Sequence, residues 1–253
     1  MGRSHAGSGL TVGVALAGWV GQHTLTGALF VAVVTAGWSL VPDLDHRSST
    51  ATRRFGWITG AVSWLLRAAS RHVYAWTKGR RDEHCTGEHR HLSHTAVFAA
   101  AMGYGTAWLT TAYGRWAVAG VAVFGVILAT KALGDWIVFP PVAAAGLWAV
   151  TDLPGFLTEL DSVSGWIGVA VAAGCLTHCV GDALTEQGCP ILWPIPIGGE
   201  TWAELRPPAM LRFRTNSKVE KRFLFPAFLV GALLLLPGVW PHVQALFIKP
   251  ERI

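Results

Sequence analysis

Charged residues are scarce in this chain. Asp, Glu, Lys and Arg make up only 14% of the 253 residues, whereas hydrophobic residues make up 52%. Soluble domains carry about 25% charged residues, so the composition excludes an ordinary soluble domain and indicates an integral membrane protein. The mean hydropathy of +0.42 agrees with this, as do the 13 Trp residues, because Trp gathers at membrane interfaces.

Cysteine is also infrequent, and the four residues (Cys85, Cys175, Cys179 and Cys189) lack the spacing of a secreted disulfide scaffold. We expect reduced, packing cysteines, and leave open whether Cys85 contacts a metal. The first residues contain no small-residue cleavage site, so we expect no cleaved signal peptide. The formal net charge of +5 comes from loop clusters rather than from a basic stripe, and we expect no nucleic-acid partner.

Long apolar runs predict an all-α fold: a polytopic membrane helical bundle of about seven spans, forming a single integral-membrane domain over 1–253. The first two runs are short enough to form a tight or partly re-entrant hairpin, and Pro140-Pro141 should break the fifth. Residues 55–69 are amphipathic and flanked by basic residues, which favours a helix in the membrane interface. The predicted spans are 9–21, 25–41, 95–112, 116–133, 136–151, 166–183 and 223–248.

Basic residues concentrate in two long polar regions, 47–92 and 186–222, whereas the predicted loop 152–165 carries acids and no Lys or Arg. The positive-inside rule therefore places the N-terminus and both polar regions in the cytoplasm. With seven spans, the polar clusters at 43–46, 89–94 and 178–182 then reach the same cytoplasmic face.

His178 and Asp182 lie four residues apart at the end of an apolar run. On a helix they project from one face, one turn apart, and an imidazole with a carboxylate is a suitable ligand pair for a divalent metal. The alternative is a buried His–Asp hydrogen bond that closes the helix end.

Two further clusters hold similar residues. Asp43, Asp45 and His46 follow the second apolar run, where charged groups are costly unless they have a function; the alternative is a solvated turn capped by Asp43. A histidine-rich tract precedes the next helix. There we expect His89 in the entering turn, Ser93 as the helix cap and His94 at the helix start, and leave the roles of His84 and His91 open.

These three clusters together resemble the YdjM (DUF457) family of bacterial inner-membrane metal-dependent hydrolases. The matching segments are Val41-Pro-Asp-Leu-Asp-His46, Glu88-His-Arg-His-Leu-Ser-His-Thr95 and the stretch 176–194. The family pattern is roughly PDxDH, then GHRGxTHS, then HxxxDxxTxxGxxxLWP. Here Glu88 and His91 replace two glycines, Ser93 and Thr95 exchange hydroxyl types, and 116–151 looks like an inserted helix pair.

The resemblance, which extends distantly to zinc-dependent phospholipase C and S1/P1 nucleases, implies a cluster of divalent ions. Two or three zinc ions are expected, with manganese as an alternative. Arg90 would bind a phosphate or a transition-state charge, and Asp45 and His46 are second choices, as ligands or as partners of ligands. The implied metal ligands are His5, Asp43, His89, His94, His178 and Asp182.

The resemblance, together with this chemistry, implies a multi-pass protein of the bacterial or archaeal inner (cytoplasmic) membrane that hydrolyses a phosphoester of a lipid or lipid-like substrate at the cytoplasmic face. A metal-activated water supplies the nucleophile. The chain contains no HExxH or GxSxG motif, which disfavours a zincin protease or a serine esterase. Two alternatives remain: a metal-ion transporter or sensor, and a zinc-stabilised structural membrane protein. The sequence does not predict the oligomeric state.

Overall fold

The computed structural model describes residues 1–46, 49, 52 and 57–239, without the side chain of Ile58. The described part of the chain confirms the all-α class: it contains helices and three isolated β-bridges, but no strand. The α-helices are α1 (Gly2–Ala17), α2 (Leu25–Trp38), α3 (Trp57–Thr77), α4 (Ala96–Tyr113), α5 (Arg115–Leu133), α6 (Asp135–Thr151), α7 (Leu153–Val163), α8 (Ile167–Ala183) and α9 (Phe225–Leu235).

Two segments are long and apolar enough to cross a membrane. They are Leu25–Asp45, in which α2 continues into a 3-10 turn, and Arg115–Leu133, which is α5. Helices α7 and α8 pass the same test only as a pair bent by 61°, and α6 is apolar but shorter. The described residues therefore support two or three candidate spans, and the predicted seven are not confirmed.

Several predicted boundaries change. Helix α1 begins at Gly2 rather than near residue 9, so it includes His5. Pro140 and Pro141 lie inside α6 instead of breaking it, as prolines can in membrane helices. The predicted loop 152–165 contains α7, because the Asp152 side chain accepts a hydrogen bond from the Gly155 N–H at 3.0 Å and so caps the helix.

Helix α3 is longer than the predicted interfacial segment and has an exposed aromatic face that includes Trp57, Trp64 and Trp76. Its opposite side rests against the polar region that precedes α4, where Ser70 Oγ donates to the Gly87 carbonyl at 2.5 Å. The predicted start of this helix, residues 55–56, and the basic residues Arg47, Arg53 and Arg54 lie outside the described residues.

The core is formed mainly by α1, α2 and α8, with α4 and α5 packed around them. Close approach of α8 to α2 depends on Gly174, since a Cβ there would lie 2.6 Å from the Thr35 carbonyl oxygen and 3.0 Å from Ser39 N. Helix α9 packs on α1, where Thr11 Oγ1 donates to the Phe228 carbonyl at 2.6 Å. The end of the last predicted span, 240–248, lies outside the described residues. This packing brings the ends of α2 and α8 together beside the start of α1.

Candidate metal centre

Four parts of the chain meet at one end of the bundle. Helix α1 contributes His5 from its first two turns, and α8 contributes His178 and Asp182 from its last two. Helix α2 is followed by a 3-10 turn, Pro42–Asp45, and α4 is preceded by a second one, Leu92–His94. Both turns are short segments between apolar helices, and they place polar side chains where the helices end.

The ring of His178 is oriented by a backbone carbonyl. Its Nδ1 lies 2.8 Å from the Ser39 carbonyl oxygen, and a carbonyl only accepts hydrogen bonds. Nδ1 therefore carries the proton, and Nε2 of the neutral ring presents a lone pair. The His5 ring stacks on that of His178 with centroids 3.9 Å apart. Gly181 leaves room for it, since a Cβ there would lie 3.1 Å from His5 Nδ1.

His94 is fully buried and faces His178. Its Nε2 lies 3.1 Å from His178 Nε2 and 3.4 Å from Asp182 Oδ2, while its Nδ1 lies 3.3 Å from Asp45 Oδ2. Burial by itself lowers the pKa of His94, but the carboxylates of Asp45 and Asp182 outweigh burial and raise this pKa well above its usual range. The surroundings of the ring therefore favour positive charge at this position.

Asp182 is almost fully buried, and neither of its carboxylate oxygens has a hydrogen bond of acceptable geometry among the described residues. Basic atoms are nonetheless close: His5 Nε2 lies 3.2 Å from Oδ1, and Arg90 Nη2 lies 3.1 Å from Oδ2. A buried carboxylate is costly unless it is paired or coordinates a metal. Asp182 therefore has cationic and nitrogen groups around it, but its oxygens can still accept a hydrogen bond or bind a metal ion.

The geometry defines two overlapping sets of three residues that could hold a metal ion. One is His5, His178 and Asp182, and the other is Asp43, His94 and His178; within each set the ligand atoms lie within 4.8 Å of one another. Imidazole nitrogens with carboxylate oxygens suit zinc, and such a donor set also accepts other divalent ions. Five of the six implied ligands thus lie together.

Asp45 occupies a different position from these ligands. It is fully buried, and its carboxylate accepts from the Arg90 backbone N–H at 3.0 Å and from Ser93 Oγ at 2.6 Å. His89 Nδ1 lies 2.6 Å from its other oxygen. Asp45 therefore connects the segment that carries His89 and His94 to the turn after α2.

The remaining predicted site residues lie at the rim. The Arg90 backbone has a φ of 57°, and its side chain, which is 17% exposed, reaches Asp182. The sixth implied ligand, His89, is outside the two sets and 37% exposed, and the His46 ring lies 4.7 Å from it. The Asp43 side chain is 25% exposed. The cluster is therefore most accessible on the side formed by Asp43, His89 and Arg90.

The predicted cap of α4 needs correction, and the structure places two histidines whose roles the sequence left open. Thr95, not Ser93, caps α4 and accepts from the Phe98 N–H at 3.1 Å, because Ser93 is turned inward to Asp45. His91 points away from the cluster, with Nε2 3.5 Å from Cys85 Sγ and its ring against Tyr74 and Trp202. His84 is exposed.

The carbonyl group of Ser39 was missed as a determinant of the site. A backbone carbonyl occurs in every residue, so the sequence carries no signal for it.

A family model described as YdjM inner membrane protein matches residues 1–242. The chain belongs to the YdjM inner membrane protein family. The match includes every segment that contributes to the His–Asp cluster, and it confirms the resemblance found in the sequence motifs. No curated protein and no solved structure matches the chain. The description of the YdjM family gives a location, the inner membrane, and no reaction.

Proposed function

We propose that this YdjM-family chain is a membrane-embedded, metal-dependent hydrolase that cleaves a phosphoester of a lipid or lipid-like substrate at the cytoplasmic membrane face. One observation carries the proposal: Nε2 of His94 and Nε2 of His178 lie 3.1 Å apart beside Asp182. A phosphoester is the bond that paired metal ions commonly help to cleave.

A cation is the simplest partner for these groups. Because the Nδ1 atoms face Ser39 O and Asp45 Oδ2, each ring, when it is neutral, directs its Nε2 lone pair at the other. Two lone pairs at this distance repel unless a proton or a metal ion lies between them. Asp182 favours a metal, because Arg90 and His5 lie close to its oxygens without forming hydrogen bonds of acceptable geometry among the described residues. A proton shared by the two imidazoles would add no further partner for this buried carboxylate.

The residues of this chain have distinct roles in the proposal. His5, Asp43, His94, His178 and Asp182 would hold the ion or ions, which when bound supply Lewis-acid catalysis and an activated water. Arg90 lies at the accessible side of the cluster, where its guanidinium could bind two phosphate oxygens at once.

The same accessible side indicates the substrate. The cluster lies at helix ends rather than in the middle of the bundle, and α3, with its exposed Trp face, lies beside it. Trp is favoured at the level of lipid headgroups. A substrate phosphate carried by a lipid headgroup would thus reach Arg90 without leaving the membrane surface.

The proposal is tested by elemental analysis of detergent-purified protein together with a screen of phosphoester substrates. We expect bound zinc or manganese and hydrolysis in the wild type, and loss of both in Asp182→Asn, which keeps the side-chain size. Asp161→Asn is the matched control, because Asp161 pairs with Arg115 outside the cluster. An active, metal-replete Asp182→Asn protein would refute the proposal. Bound metal without turnover would favour a structural site, and metal transport in proteoliposomes would favour a transporter.

A further inference from the structure

A large apolar cavity lies among α2, α5, α6 and α7, at the opposite end of the bundle from the His–Asp cluster. Its volume is about 1040 Å³. It reaches the turn between α1 and α2, which is roughly 20 Å from His5 along α1 at 1.5 Å per residue. Side chains that line it include Phe30, Ala122, Val126, Trp148, Phe156 and Leu160.

The cavity is partly open to the surroundings of the protein. Its size and walls resemble those of small-molecule sites, which have volumes of about 300–1,000 Å³ and mostly apolar walls. Helix α6 stands apart from its neighbours, with Val138 as its only buried residue among those described. The space between α6 and α2 is therefore suited to an elongated apolar group.

The polar residues of the cavity come from two places. Gln22, His23, Thr24 and Thr26 come from the α1–α2 turn and the start of α2, and Glu159 comes from α7, on the same helix face as Phe156 and Leu160. Thus one end of the cavity can form hydrogen bonds, and the rest can bury hydrocarbon. This is the arrangement that an amphiphile with a polar headgroup requires.

The charge of Glu159 identifies the headgroup. Its neighbour Asp161 is neutralised by Arg115, with Nε 3.0 Å from Oδ1. The half-buried carboxylate of Glu159, by contrast, has no hydrogen bond or ion pair among the described residues. The described residues that line the cavity include no Lys or Arg, and His23 is the only other titratable side chain among them. A cationic partner stabilises a partly buried carboxylate, so an amine on the ligand would pair with Glu159.

We propose that this cavity binds an aminophospholipid, with an acyl chain between α2, α5 and α6 and the headgroup amine beside Glu159. The site is separate from the proposed hydrolytic centre. A lipid held there would fill the space that the helices leave between them and would anchor α6 to the bundle.

The test counts bound lipid by native mass spectrometry after delipidated protein is titrated with phosphatidylethanolamine or phosphatidylglycerol. We expect the wild type to bind phosphatidylethanolamine about fivefold more tightly than phosphatidylglycerol, which is the gain from one partly exposed ion pair. Ala119→Trp fills the cavity from a half-buried position on α5, and it should weaken the binding of both lipids at least tenfold. Glu159→Gln should remove only the preference, and Val169→Trp, at an exposed site on α8, should change neither.

Three results would overturn the inference: no bound lipid in the wild type, a preference for phosphatidylglycerol, or wild-type binding in Ala119→Trp. Metal content should be the same in all these variants, because the cavity and the His–Asp cluster lie at opposite ends. The outcome is therefore independent of whether the proposed hydrolase activity is found.

Discussion

Replacing Asp45 with Asn should weaken metal binding without abolishing it. The Asp45 carboxylate accepts hydrogen bonds from Arg90 N and Ser93 Oγ and lies 2.6 Å from His89 Nδ1 and 3.3 Å from His94 Nδ1. Asn has a single acceptor oxygen, and its amide would direct N–H groups at one of these donors. At least one partner is then lost, and the His94 ring is no longer held in place.

The expected magnitude follows from the position of Asp45 behind the ligands. Loss of a group that orients a metal ligand typically costs 10–100-fold in metal affinity, which corresponds to about 1.4–2.8 kcal/mol. Affinity is measured by competition with a chromophoric chelator, and the number of bound ions by elemental analysis. We expect the number of ions to be unchanged in Asp45→Asn.

Two outcomes would contradict this reasoning. Unchanged affinity would mean that Asp45 does not orient the ligands. Complete loss of metal, as expected for Asp182→Asn, would make Asp45 a ligand itself, which is one of the alternatives that the sequence left open. Asp161→Asn again serves as the control, since it removes an exposed carboxylate that lies outside the cluster.

Three other variants probe neighbouring residues. Thr95→Ala should lower the free energy of unfolding by about 1 kcal/mol through loss of the α4 cap, measured by denaturation in detergent, whereas Thr95→Ser should not. Arg90→Lys should retain metal but hydrolyse phosphoesters more slowly, because Lys cannot bind phosphate with two parallel hydrogen bonds; full activity would exclude that role. The double variant Cys85→Ser/His91→Ala should keep the wild-type metal content, since this pair faces away from the cluster, and loss of metal would place it in the site.

The convergence of the polar clusters was expected from the distribution of basic residues together with a count of seven spans, and that count is not confirmed. The spacing of His178 and Asp182 predicted that these two residues share one helix face. The structure places these residues within 4.8 Å of one another in two sets. By contrast, neither pattern contains the Ser39 carbonyl or the positive φ of Arg90, since both depend on how the backbone is folded.

The number of spans could not be predicted in the same way. Apolar composition does not distinguish a straight span from two helices joined by a bend, as in α7 and α8. Helix α1 illustrates a second difficulty, because 16 residues extend only about 24 Å at 1.5 Å per residue, less than a hydrocarbon core of about 30 Å. Because α1 packs against α2 and α9, it can bury its apolar side chains without crossing the bilayer by itself.

The His–Asp cluster contains residues that are far apart in the chain, from His5 in α1 to Asp182 in α8. Because chains emerge from the ribosome in order, Asp182 becomes available only after most of the protein has been made. Metal binding would then report that the helices up to α8 have come together, since a chain that ends before α8 has only some of the ligands. It would also stabilise the folded bundle, because an ion that binds only the folded state shifts the folding equilibrium toward that state.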